Sequence, residues 1–230
     1  RKNLFSGKSD TSKKDESTFR LKVNWKVNSK STLKFLLTQI NLDDPADIWT
    51  IDGSLNTLSD RPGMDSQKTN AYGIRFFHIL ENFEFQSLTS MTDTDVVLSY
   101  DADWGNPSTH SPYIYDYFSE TLRFRETISQ EFRLLSNKAD FNSNQRYEWV
   151  VGMNFFESNE KNLKKDDGIY GDPSDPYSPY VSESSSSSKF DIRNFSIYGN
   201  LNYLINESTK FSMGPSKLIS LNSITLFDIL

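Results

Sequence analysis

Between residues 19 and 27 every odd position is apolar (Phe19, Leu21, Val23, Trp25, Val27), and Arg20, Lys22, Asn24 and Lys26 fill the even ones. A period of two places successive side chains on opposite faces of an extended backbone, so the stretch reads as a β-strand with one oily and one polar face. The pattern recurs. Ile128, Gln130, Phe132 and Leu134 alternate against Ser129, Glu131 and Arg133, and Tyr147, Trp149, Val151, Met153 and Phe155 alternate against Glu148, Val150, Gly152 and Asn154. Phe195, Ile197, Gly199, Leu201 and Tyr203 repeat it once more.

These runs fall into hairpins. Strands are expected at 19–27, 32–42, 70–79, 83–93 with continuation toward Tyr100, 121–134, 147–155, 195–203 and 210–214, about eight in all. The connections alternate in length. Polar turns at 28–31, 81–82, 137–145 and 206–208 close the hairpins, and long segments at 43–69, 101–119 and 157–189 join one hairpin to the next. The long segments carry turn chemistry (DDPAD, DRPG, DADWGNP, DGIYGDPSDP), and the last holds the five-serine run Ser184–Ser188, so all three read as loops. The chain then divides into a loop or strand end at 1–17, a partial β-barrel at 18–214 and an atypical tail at 215–230. That tail (PSKLISLNSITLFDIL) reads as a truncation or reading-frame artefact.

An antiparallel meander with tight turns at one end and long loops at the other is the layout of an outer-membrane barrel, whose tilted strands need about 9–11 residues to cross the hydrocarbon layer. Composition fits that reading. Aromatic residues make up 14% of the chain while the hydrophobic total is only 36%. A barrel shows lipid at alternate positions only, and its aromatic residues collect at the two interfaces. The same alternation also builds a soluble β-sandwich, and the pattern by itself leaves both open.

Several function classes are excluded or weakened. A net charge of −6 disfavours nucleic acid as a partner. The absence of cysteine removes disulfides, thiolate metal sites and a cysteine nucleophile. No run of about 18 apolar residues exists to make a transmembrane helix, and residues 1–10 lack a signal-peptide core. His78 and His110, the two histidines, stand far apart, which argues against a histidine-based site. No ordered serine–histidine–acid set, phosphate-cradling loop or carboxylate pair points to an enzyme.

Candidate ligand contacts therefore lie in the long loops. Trp104, Tyr113, Tyr115 and Tyr117 in the second, with Tyr170, Tyr177 and Tyr180 in the third, can form an aromatic platform at the outer mouth; an interface girdle or loop packing is the alternative. Asp101 and Asp103, with Asp166, Asp167, Asp172 and Asp175, offer oxygen ligands but lack the spaced calcium-loop pattern, so no metal is assigned. Asp101, Asp103, Trp104, His110, Tyr113, Tyr115, Tyr177 and Tyr180 are the ligand-binding candidates.

One resemblance adds to this reading. Ser129, Gln130, Glu131, Arg133, Leu134 and Ser136, followed by Trp149, Gly152 and Phe155 or Phe156, resemble the S-Q-E-x-R-L-x-S and W-x-x-G-x-x-Y/F strands of TonB-dependent outer-membrane receptors. FRLKVNWKVNSKSTLKFLL, QKTNAYGIRF, YDADWGNP and FSIYGNLNYLINESTKFSMG are similar to other pieces of that barrel in the same order, together spanning 19–214. The resemblance implies an outer-membrane location, a plug domain and TonB box lying outside this chain, a barrel of about 22 strands, and uptake of a scarce ligand such as an iron–siderophore complex, cobalamin or saccharide. It implies no cofactor and no catalysis. The partners would be the TonB complex, engaged through the plug, together with outer-membrane lipid and the ligand. A small passive porin-like barrel and a soluble carbohydrate-binding sandwich are the alternative functions.

Overall fold

A computed structural model describes residues 1–139 and 145–229. Residues 140–144, within the turn expected at 137–145, and Leu230 lie outside the described residues. In chain order the elements are β1 (Lys2–Asn3), β2 (Glu16–Lys26), β3 (Ser31–Pro45), β4 (Asn56–Thr57), β5 (Met64–Ile79), β6 (Phe83–Asp101), α1 (Pro107–His110), β7 (Ile114–Ser136), β8 (Tyr147–Gly171), β9 (Tyr180–Leu204), β10 (Lys210–Met213) and β11 (Ser216–Ile229). β1 and β4 pair in parallel on their own. All the other strands form one antiparallel sheet in the order β2-β3-β5-β6-β7-β8-β9, with β10 and β11 both laid against β9. Consecutive strands pair throughout, which is the all-β antiparallel meander expected from the alternation.

Register turns the separate apolar patterns into one band. Val23 on β2, Phe35 on β3 and Ile74 on β5 share a row with Phe155 and Phe195 on β8 and β9. Trp25, Leu33, Phe76, Phe132, Met153 and Ile197 share the next. The band steps along the sheet: β2 stays apolar through Leu21 and Phe19, at the rows where β8 already carries Glu157 and Asn159. Strands tilted against a barrel axis produce this stagger. The opposite, polar face is concave, with a trough of about 690 Å³ bordered by Lys22, Lys34, Arg75 and Glu131.

Among the described residues nothing covers the apolar band. Ala46 is the one buried hydrophobic residue among the described residues, while Trp25 is 56% exposed and Ile197 50%. A sandwich packs a second sheet about 10 Å from the first, and among the described residues no second sheet faces the band. Nor, among the described residues, does β2 pair with β10 or β11, so these strands do not close into a barrel by themselves.

Several boundaries differ from expectation. β8 and β9 are 25 residues each and β7 is 23. The third long loop, expected at 157–189, shrinks to 172–179, and the serine run lies inside β9, paired with 162–166 of β8. Serine carries no apolar alternation, but a strand wet on both faces needs none once its backbone is paired. The first and second loops shrink likewise, to 46–63 and 102–113, and the second contains α1. Residues 216–229, expected to be an atypical tail, pair one for one with 185–198 of β9. β10 and β11 are successive parts of one strand, broken where Pro215 removes an N–H.

Candidate functional site

The long-loop end of the sheet holds the candidate ligand contacts. Register sets Tyr115 of β7 beside Tyr170 of β8, and Tyr170 beside Tyr180 of β9. By parity all three lie on the concave face, the face that carries Glu131 lower down. Ring centroids are 6.4 Å apart for Tyr115 and Tyr170 and 4.9 Å for Tyr115 and Tyr117. Tyr117 lies flat over its cross-strand partner Gly168, where a Cβ would stand 2.2 Å from the ring. That bare backbone is what lets the row of rings close up. Tyr180 Oη donates to Asp175 Oδ2 at 2.6 Å, a bond that holds the Asp175 carboxyl below its usual range and pushes the Tyr180 phenol up.

Beside this row the 102–113 connection folds around buried carboxylates. Asp103 Oδ2 accepts from the Tyr117 N–H at 2.7 Å, and its Oδ1 accepts from Gly105 N–H at 2.9 Å and lies 3.1 Å from His110 Nε2. His110 in turn meets Tyr115 edge-on with centroids 5.2 Å apart. Asp101 Oδ1 accepts from the Asp103 and Trp104 N–H groups. Burial, with the Asp103 carboxylate close by, pushes the Asp101 carboxyl up to about 6. Asn106 caps α1, its Oδ1 accepting from Ser108 N–H while Thr109 Oγ1 accepts from its own N–H.

The first connection and the N-terminal segment lock onto this loop. Asn3 Nδ2 donates to Asp47 Oδ2 at 2.8 Å and to the Ser59 carbonyl at 2.7 Å, and Thr57 Oγ1 donates to the same carboxylate oxygen at 2.8 Å. Asn106 Nδ2 donates to the Leu58 carbonyl at 2.7 Å, and Asp60 N–H to the Gly105 carbonyl at 3.0 Å. Arg61 Nη1 then bridges Asp116 on β7, at 3.0 Å, and Asp167 on β8, at 2.7 Å, with its guanidinium 4.6 Å over the Phe118 ring. Burial raises the neighbouring Asp60 carboxyl, and the Asp116 and Asp103 charges add to the effect.

The structure thus brings Asp103, His110 and Tyr115 into one cluster and sets Asp101 and Trp104 on its flank. Tyr113 is exposed nearby, and Tyr177 stands 83% exposed on the third connection, out of ring contact with the cluster. Arg61, Asn3, Asp47 and Thr57 escape sequence reasoning because their partners lie from 10 to 106 residues away and no spacing announces them. Among the described residues no group of three or more His, Asp or Glu is placed to hold a metal ion.

No protein-family model matches the chain, and no curated protein is similar to it in sequence. Among solved structures, the ferric yersiniabactin uptake receptor FyuA from Yersinia pestis superposes over 98% of this chain and 36% of its own, with a TM-score of 0.60 at 11% identity. A similarity to the RagAB peptide transporter covers 91% of this chain and 29% of that one, with a TM-score of 0.42 at 10% identity, too weak to bear on the fold. The chain therefore spans about a third of the length of FyuA. At this identity the likeness speaks for fold alone, an antiparallel β-meander like part of a β-barrel, which is the fold expected from the alternation.

Proposed function

We propose that the chain is part of the barrel wall of a TonB-dependent outer-membrane receptor that takes up a scarce ligand such as an iron–siderophore complex. The observation that carries this reading is the single uncovered sheet whose register gathers the apolar side chains of every long strand into one staggered band. Only lipid can cover such a band without a second protein layer. At roughly 3.3 Å per residue a 25-residue strand reaches about 80 Å, against a hydrocarbon layer of about 30 Å. Much of each long strand then stands outside the membrane and lifts the tyrosine row and its interlocked loops into the medium, where a ligand would be captured. The plug and the TonB contact belong to other parts of the protein under this reading, and no catalytic step is involved. Similarity to an uptake receptor for a ferric complex supports the choice of ligand class.

The test is cell fractionation together with uptake of radiolabelled ferric siderophores by cells carrying the gene with its flanking coding sequence, in TonB-competent and TonB-deficient backgrounds. The expected result is outer-membrane recovery and uptake that is lost without TonB. Recovery in the soluble fraction, or uptake indifferent to TonB, would refute the proposal.

A further inference from the structure

The interlocked loops bury carboxylates without a counter-ion. Asp47, Asp101 and Asp103 are 3%, 5% and 7% exposed, and among the described residues no lysine or arginine comes within salt-bridge distance of any of them. His110 alone reaches Asp103. Asp103 engages both of its oxygens, with Gly105, Tyr117 and His110, and Asp47 Oδ2 accepts from Asn3 and Thr57. Asp101 is only half engaged. Its Oδ1 accepts from two backbone N–H groups, while its Oδ2 is buried with no hydrogen-bond partner. Ser59 Oγ, on a residue 2% exposed, is buried and unpartnered in the same way.

The two oxygens meet at one cavity. Asp47, Ser59 and Asp101 line a space of about 10 Å³ between Trp49 and Trp104, room for a single water-sized occupant. The Ser59 hydroxyl stands close enough to the Asp101 carboxyl to favour its charged form, though not in hydrogen-bonding geometry, so one occupant can touch both. Asp101 pairs with Phe118 of β7, on the face opposite that of Tyr115 and Glu131, which sets the cavity away from the concave wall. A water would satisfy the two oxygens and leave the buried charges uncompensated, whereas a cation does both. Oxygen donors select hard cations. A divalent ion demands about six or more oxygens, and among the described residues no group of three acidic or histidine side chains is placed for one. One free carboxylate oxygen and one hydroxyl match a single positive charge. We infer that the cavity is a binding site for one monovalent alkali cation of sodium's class, held by Asp101 Oδ2 and Ser59 Oγ, which ties the 46–63 connection to the end of β6.

This site is built within the loops and is independent of the uptake reading. Its test uses the full chain in a non-ionic detergent at neutral pH, with sodium chloride replacing choline chloride at constant ionic strength. Urea unfolding is followed by tryptophan fluorescence, since Trp49 and Trp104 line the cavity. The loop transition is expected to move to higher urea as sodium rises, and to saturate. In Asp101→Asn and in Ser59→Ala the sodium concentration at half effect is expected to be at least about tenfold higher. Ser59→Ala leaves every backbone bond to Asp101 in place, so it carries the test where Asp101→Asn loosens the loop. In choline alone the Asp101 charge is uncompensated and Asp101→Asn is the more stable protein; sodium narrows that gap. A transition indifferent to the exchange of choline for sodium, the result that a bound water alone predicts, overturns the site. So does an equal sodium response in wild type and both variants. A response to calcium with none to sodium also overturns it, and points to a divalent ion.

Discussion

At the residue scale, Asp101 combines burial, a loop role and an altered proton affinity. Its side chain is 5% exposed, and its Oδ1 holds two backbone N–H groups in place. An ordinary aspartate near 3.8 is pushed up to about 6 here, so the folded loop binds a proton that the open loop has already released. Loop stability consequently falls as pH rises between those two values and stays at the lower level above them. The difference is on the order of 3 kcal/mol at neutral pH. Asp101→Asn retains an acceptor for the two N–H groups and removes the charge. The expected result is a loop that is more stable than wild type at pH 7 and much less sensitive to pH, with Asp60, also raised by burial, supplying the remaining dependence. Trp49 and Trp104 line the small cavity beside Asp101, so tryptophan fluorescence during denaturant titration reads the transition. A variant with the pH profile of wild type would remove Asp101 from this role.

At the element scale, a strand here has two faces in two solvents. Met153 lies in the apolar band between Phe132 and Ile197, and Asn154, next in sequence, lies on the concave face between Glu131 and Ser196. Met153→Arg is expected to cost about 2–4 kcal/mol in vesicle-reconstituted protein, the usual penalty for a charge facing the bilayer centre, and Asn154→Arg much less. Urea unfolding from vesicles measures both, and equal costs would contradict the assignment of faces. This alternation is also the part of the fold that sequence made legible. Hairpin order and the approximate strand positions follow from it, while the turn-loop asymmetry holds only in part, since the 172–179 connection is shorter than the segment between β7 and β8. What stayed hidden is what alternation does not encode. Residues 157–171 and 180–189 read as loop because their turn-forming residues and serine run carry no apolar period, and 215–230 reads as an atypical tail because its sequence departs from the resemblance that covers the residues before it. Tyr115, Tyr170 and Tyr180 were visible as loop aromatics, but their alignment depends on a register that no local pattern carries. The Arg61 bridge to Asp116 and Asp167 was out of reach for the same reason.

At the scale of the whole molecule, stability cannot come from a core, since the described residues contain almost none. The backbone ladder satisfies the strands internally, and the interlocked loops add a polar knot around Asn3, Asp47 and Thr57 at one end. The apolar band remains, with Phe19, Trp25, Met153 and Ile197 all about half exposed. Soluble monomers rarely expose contiguous apolar patches larger than a few hundred Å², and this band runs the full width of the sheet. The open outer edge of β2 adds unpaired N–H and C=O groups, a template for pairing with another chain. Together these predict that the chain, refolded without detergent, aggregates into species rich in β-structure, and that a non-ionic detergent covering the band yields small, uniform particles with the same circular dichroism. Analytical ultracentrifugation in the two conditions makes the comparison. A uniform monomer without detergent would mean that the band is covered by protein, and the lipid-facing assignment of Phe19 through Trp25 on β2 would have to be abandoned.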